Sequence, residues 1–292
     1  MPDVMPAGSF VTQAFGLRWR SDWPNPWFAD APDDGRAIDV EIRRRAVLEP
    51  RSGGRQVNRG ELFADGTRFA LDGAVIDMYD GQRIDWVADG VDAVPLALCG
   101  TVAAQVLAWR GLVPLHGSAV AFDGHAILVA GESGAGKSTL AQALVECGGH
   151  LVSDDLSVLL PNRTGGAPML IPGRPAIRLT ERIGDDKDQP KRLALPPRVD
   201  PDRPVPLAML LLLRDQPIGS DPSALTATLA GQIFRPKWMR FMPGRSLRIA
   251  TVFQTAQRIG FATMPPASSA RDVMPATRAA EAMALLRRHQ RR

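Results

Sequence analysis

The chain has 292 residues, of which 45% are hydrophobic and 23% charged, so it can bury one large core or two ordinary ones and does not have the make-up of a disordered protein. A balance of 35 basic against 31 acidic residues gives a formal net charge of +4, short of a nucleic-acid-binding tail but suited to an acidic ligand such as ATP. The longest aliphatic run, Leu207–Leu213, is far below the roughly 20 residues of a bilayer span, and the first residues lack the basic start and apolar run of a signal peptide.

A cytoplasmic protein with no membrane or nucleic-acid partner is therefore expected. The two cysteines, Cys99 and Cys147, read as buried thiols rather than as a disulfide. Residues 1–36 read as irregular, because Pro24 and Pro26 break the helical spacing of Trp19, Trp23 and Trp27. Those tryptophans are expected to pin an extended segment to a domain surface, the alternative being a peptide-binding aromatic patch.

From Ile38 to Val87 the pattern is that of strands. Asp65-Gly66, Asp72-Gly73 and Asp80-Gly81 separate the short runs Arg68–Leu71, Ala74–Tyr79 and Gln82–Val87, and Asp-Gly favours hairpin turns because both positions tolerate positive φ. Residues 1–93 are accordingly assigned to a small β-rich N-terminal domain and residues 94–292 to a second, α/β domain. The second begins with an apolar helix over Val94–Arg110. A further hairpin follows, Ser118–Phe122 and His125–Ala130 around Asp123-Gly124, and its second strand runs into a glycine loop. Thr164–Pro168 and Ile183–Pro206 read as loop-rich excursions.

Gly131-Glu132-Ser133-Gly134-Ala135-Gly136-Lys137-Ser138-Thr139 contains the full pattern G-x-x-x-x-G-K-[ST]. Gly131, Gly134 and Gly136 let the backbone curl until successive N–H groups point at phosphate oxygens. Lys137 then reaches the terminal phosphates, and the Ser138 hydroxyl is placed to bind Mg²⁺. The helix over Lys137–Glu146 sets its positive dipole end behind the anion. Two acids, Asp154 and Asp155, end the next short apolar strand, where ligands gather in open α/β sheets. One would hold Mg²⁺ while the other takes a proton from an attacking hydroxyl; the plainer alternative is a capped turn. Asp215, at the end of Leu207–Leu213, is a rival metal residue. The hairpin leading into the loop favours the Asp154-Asp155 pair over it, since ordinary sheets of this kind reach the loop through parallel crossovers.

Further on, Arg235, Lys237, Arg240, Arg245 and Arg248 gather among Phe234, Trp238 and Phe241. This segment suits a nucleotide, an RNA or an acidic peptide, and one arginine in it, or Lys191 or Arg192, is a candidate to stabilise transferred charge. The plain alternative is a solvated helix edge or turn. The stretch Arg278–Arg292 reads as an alanine-rich helix with a basic end.

His116-Gly-Ser-Ala-Val, the Asp-Gly hairpin, Gly131–Thr139 and Leu151-Val-Ser-Asp-Asp155 together resemble the catalytic domain of HPr kinase/phosphorylase, a fold distantly similar to ATP-dependent phosphoenolpyruvate carboxykinase. The resemblance covers roughly His116–Val158, with weaker likeness onward to about Pro265. It implies an HPr kinase/phosphoenolpyruvate carboxykinase-like P-loop domain that uses ATP and Mg²⁺. It places His116 near the transferred phosphate, Lys137 and Ser138 on phosphate and metal, Asp154 as general base and Asp155 on the metal side. The first hundred residues do not look like the usual N-terminal domain of that family, and the downstream glycine-rich signature of its reverse reaction is missing. A serine of a peptide or small protein, as in kinases of lasso-peptide precursors, is therefore favoured as acceptor. HPr itself, free serine and a nucleotide-gated regulatory ATPase are the alternatives, and a homo-oligomer stays open.

Overall fold

A computed structural model describes residues 9–58, 60–71, 73–90, 94–161, 165–180, 191–269 and 273–290. Residues 1–8, the turn position Asp72, Thr164, residues 183–190 and the last two arginines of the basic C-terminal end lie outside the described residues. The fold is mixed α/β with several sheets, and the chain divides into two compact units. One comprises residues 1–112 and 235–246, the other residues 113–234 and 247–292. The division thus falls later than the 93/94 boundary read from sequence, and it gives a stretch of the basic segment to the first unit.

In the first unit nine strands form one sheet. They are β1 (Phe10–Ala14), β2 (Leu17–Ser21), β3 (Ala29–Asp30), β4 (Val40–Arg44), β5 (Arg55–Val57), β6 (Gly60–Phe63), β7 (Gly66–Leu71), β8 (Ala74–Tyr79) and β9 (Arg83–Ala88), in the order β3-β1-β2-β4-β9-β8-β7-β6-β5. The stretch read as irregular therefore carries three strands. Trp19 is completely buried in β2 and its indole N–H donates to the Ala14 carbonyl at 3.1 Å, so it is a core residue and not a surface pin or part of a peptide-binding patch. Pro24 and Pro26 fall between β2 and β3, where a missing N–H does no harm to the ladder. β7, β8 and β9 pair antiparallel in succession, the meander expected from the sequence. Asp80 and Gly81 both take positive φ, and Gln82 lengthens their loop to three residues.

Within this sheet Asp77 is completely buried on β8 and accepts from Arg68 Nε at 2.7 Å, from Arg68 Nη2 at 2.5 Å and from the Tyr79 hydroxyl at 3.1 Å. The carboxylate in turn raises the pKa of Arg68, chiefly through that hydrogen bond. Removing the acid strands a cation in a partly dry site. Asp77→Ala should therefore destabilise the first unit by roughly 3 kcal/mol, read from urea unfolding followed by tryptophan fluorescence.

Beyond β9 the chain forms a helix that opens with a π-helical turn over Leu98–Val102 and continues as α1 (Ala103–Trp109). The widened turn contains Gly100, which has open space around its Cβ position. Cys99 is buried there as expected, whereas Cys147 is exposed at the end of the helix after the glycine loop; the two form no disulfide.

The second unit is a three-layer structure. Its strands are β10 (Val113–Phe122), β11 (His125–Gly131), β12 (His150–Ser153), β13 (Leu156–Leu159), β14 (Met169–Ile171), β17 (Val205–Leu213) and β18 (Gly260–Met264); β15 (Ile177–Thr180) and β16 (Lys191–Ala194) pair antiparallel in a separate two-stranded sheet. Helices α2 (Lys137–Glu146), α3 (Pro222–Ala230), α5 (Arg245–Ala256) and α6 (Pro275–Gln290) complete the chain, with the short α4 (Pro236–Met239) in the first unit. The central strands are buried on both sides, which explains their unbroken apolar runs. Ile127, Val129, Met209 and Leu211 pack with α2 and α6, while the alternate residues Leu128, Ala130, Leu210 and Leu212 pack with α3 and α5.

β11 has antiparallel β10 on one side and parallel β17 on the other, so the expected hairpin entry and an ordinary parallel neighbour coexist. Asp123 and Gly124 both take positive φ in the two-residue turn between β10 and β11. No described helix is long and apolar enough to cross a membrane.

Candidate functional site

The glycine loop follows directly from the end of β11. Gly131, Gly134 and Gly136 have φ of 144°, 81° and 95°, values that other residues rarely adopt, and Lys137 opens α2. The loop is fastened at its far end, where the Ala267 N–H donates to the Ala135 carbonyl at 2.9 Å. A Cβ on Gly136 would lie 2.8 Å from that of Ala267, so this position needs glycine twice over, for its φ and for its space. Gly136→Ala should cost about 1–3 kcal/mol and open the loop, seen as an earlier thermal melt together with lost nucleotide binding by calorimetry. The Lys137 ammonium donates to the carbonyls of Gly131 at 3.1 Å and Glu132 at 3.0 Å, so it lies across the loop's own curl. Glu132, Ser133 and Thr139 are exposed and Ala135 is buried.

β10 explains how distant residues reach this loop. Its first half, Val113–His116, pairs with β13, and its second half pairs with β11 on one edge and with β12 on the other. The connection between β12 and β13 is only Asp154-Asp155, so the two acids sit where β10 passes from one partner to the other. The Gly117 N–H donates to the Asp155 carbonyl at 3.3 Å, and Gly117 is itself paired with Ala130, one residue before the loop. A side chain on Gly117 would meet the Val129 carbonyl at 2.7 Å, which keeps this crossing narrow. Asp155 takes a left-handed φ of 68°, which acidic and amide residues tolerate better than most.

The acids differ in environment. Asp154 is 1% exposed and fully engaged. Its Oδ1 accepts from the Ser118 hydroxyl at 2.6 Å and the Ser138 hydroxyl at 3.0 Å, and its Oδ2 from the Arg178 N–H at 3.0 Å. Asp155 keeps 42% of its side chain exposed and lies 3.5 Å from His116 Nδ1. The His116 ring also packs at 5.6 Å on Phe234, and the His116 backbone N–H donates to the Gln232 carbonyl at 2.6 Å. The family resemblance implies Ser138 and Asp155 on the metal and Asp154 as base; in the structure the Ser138 hydroxyl bonds to Asp154, and Asp155 lies beside His116.

Ser118, Arg174 and the Arg178 backbone were not picked out from sequence as site residues. Ser118 carried a usable signal, since it stands two residues after His116 on one strand and so shares its face. Arg174 carried none. It is 4% exposed, donates through Nη2 to the Asp154 carbonyl at 3.1 Å and places the same nitrogen 4.0 Å from Asp155 Oδ2. Its Nε has no hydrogen-bond partner among the described residues. A buried guanidinium thus backs the acid pair.

The rival acid Asp215 is exposed just past β17 and accepts from the Ser269 hydroxyl at 3.2 Å. Among the described residues no group of three or more His, Cys, Asp or Glu side chains is placed to hold a metal. Any divalent ion would rely on Ser138, one or two acids and water, an oxygen-only set that fits Mg²⁺.

No family model matches the chain, and no curated protein does. Among solved structures, the HPr(Ser) kinase/phosphatase from Coxiella burnetii is similar over 38% of this chain and 71% of its own, with 19% identity and a TM-score of 0.27. So slight a likeness fixes neither fold nor activity.

Proposed function

We propose that the chain is an ATP-dependent phosphotransferase that delivers a phosphoryl group to a hydroxyl. The observation that carries this reading is the bond from the Ser138 hydroxyl to Asp154, which joins the first turn of α2, directly after the glycine loop, to an acid pair on a separate strand connection. A loop that only held phosphate would not need two carboxylates, one sealed and one open, at its mouth. The residues fit Mg²⁺·ATP: the curled glycines provide inward N–H groups, and Ser138 with Asp154 provides hard oxygen ligands. When bound, Mg²⁺·ATP supplies the phosphoryl group and neutralises its charge.

The chain's own residues divide the remaining work. Lys137, now on loop carbonyls, binds terminal phosphate oxygens. Asp155 accepts the proton of the acceptor hydroxyl, and His116 at 3.5 Å orients that carboxylate. Arg174 stabilises the charge of the pair from behind. Positioning and electrostatics carry chemistry of this kind.

A serine of a peptide or small protein is the favoured acceptor, and that preference rests on the sequence resemblance alone. The test offers ATP radiolabelled on its γ-phosphate, with Mg²⁺, to a serine-containing peptide library, to the same library with alanine for serine, and to free serine. Alkali-labile label on the serine library supports the proposal. Label on free serine changes the acceptor, and label found only as inorganic phosphate overturns the transferase reading.

A further inference from the structure

The basic segment found in the sequence has no part in the chemistry above, and its placement suggests a use of its own. Residues 235–246 belong to the first unit, although the residues on both sides belong to the second. Arg235 turns the chain with a left-handed φ of 51°, and α4 follows. Trp238, Met239 and Met242 are buried, and the Trp238 ring lies 5.9 Å from that of Phe69 on β7. Gly60 on β6 makes room for it, since a Cβ there would sit 3.0 Å from Trp238 and 2.4 Å from the Arg68 carbonyl. The segment is thus fastened to the β5–β7 end of the sheet.

Its other face is basic. Lys237, Arg240 and Phe241 stand at positions i, i+3 and i+4 and so share a side of the helical turn. Arg55, exposed on β5, lies 4.0 Å over the Phe241 ring, and Arg240 lies 4.4 Å over the same ring. Elsewhere in this unit arginines are mated to acids: Arg18 with Asp34, Arg45 with Asp85, Arg68 with Asp77. Among the described residues no carboxylate pairs with Arg55, Lys237 or Arg240. A cluster of like charges left unneutralised costs folding energy and attracts an anionic partner.

We propose that this corner docks an acidic, extended peptide segment. The aromatic ring holds both guanidiniums in place, so less side-chain freedom is lost when they take up carboxylates. β5 is also the last strand of the sheet, with no strand on its outer edge among the described residues. An extended peptide can add backbone hydrogen bonds there while its acidic side chains meet Arg55, Lys237 and Arg240. A nucleic acid fits less well: the Phe241 ring is already covered by guanidiniums and is not free to stack a base, and a phosphodiester has no donor for the carbonyls of a strand edge, whereas a peptide matches both its N–H and its C=O groups. The proposal is independent of the reaction assigned to the second unit.

The test measures fluorescence anisotropy of three labelled probes with the full chain: an extended peptide alternating glutamate and valine, its lysine counterpart, and oligothymidine. The glutamate peptide should bind, with affinity falling as salt rises. R55Q/R240Q should weaken it at least about tenfold, while R203Q, which removes an exposed charge in the second unit, should leave it unchanged. If the double variant melts early, Lys237→Glu tests the same face outside the ring stack. No binding, equal binding by the variants, or tighter binding of oligothymidine or the lysine peptide overturns the proposal.

Discussion

Replacing Lys137 with alanine should lower phosphoryl transfer by about 10²–10³-fold with little change in the melting curve. Lys137 is 9% exposed, and its ammonium bonds to the carbonyls of Gly131 and Glu132, of which Glu132 is exposed to water. Losing two such bonds should therefore cost no more than about 1 kcal/mol of stability, because water replaces the missing donor. The same charge is worth far more in the transition state, where it meets the negative charge of the transferred group directly. ATP titration by calorimetry should show weaker binding, and single-turnover transfer should show the larger loss. An unchanged transfer rate would remove Lys137 from the reaction and with it the reading of the glycine loop.

Much of this arrangement was legible because its signals are local. The spacing Gly131–Thr139 specifies a curl and a helix start within nine residues, and Asp123-Gly124 specifies a two-residue hairpin; both are present as read. What the sequence hid depends on partners far along the chain. β1 and β2 were obscured by the tryptophan and proline spacing, yet they pair with each other, and β2 is joined through β4 to β9 more than forty residues on. β10 runs through Pro114 and the His116-Gly117 pair without a break. Its partner there, β13, is specified only by a connection too short to show its own pattern. The attachment of residues 235–246 to the first unit follows from Gly60 and Phe69 accepting Trp238, which no periodicity in the segment could announce. The acid pair stands at the strand end where the sequence placed it, but the difference between its two environments comes from Ser118 and the Arg178 N–H, residues that lie 36 and 24 positions from Asp154.

That division makes Asp154→Asn and Asp155→Asn fail in different ways. Asparagine at position 154 keeps one oxygen where the carboxylate has two, and three donors converge on them. If the amide nitrogen replaces Oδ2 it faces the Arg178 N–H, which cannot turn away. If it replaces Oδ1, the Ser118 and Ser138 hydroxyls must reverse to accept, and Ser138 is then aimed wrongly for a metal. Either arrangement should cost about 1–3 kcal/mol, lowering the melt by several degrees at roughly 2–4 °C per kcal/mol, and should weaken Mg²⁺-dependent nucleotide binding. At position 155 the side chain is 42% exposed and the backbone φ of 68° is one that asparagine accepts readily. Asp155→Asn should melt like the parent and bind nucleotide normally, yet transfer about 10²–10⁴-fold more slowly, because an amide cannot take the acceptor's proton. Should Asp155→Asn transfer at the parental rate while Asp154→Asn loses transfer without losing stability, the buried acid would be the base. The three hydrogen bonds on it would then serve to set its orientation for proton transfer rather than to hold it on the metal side.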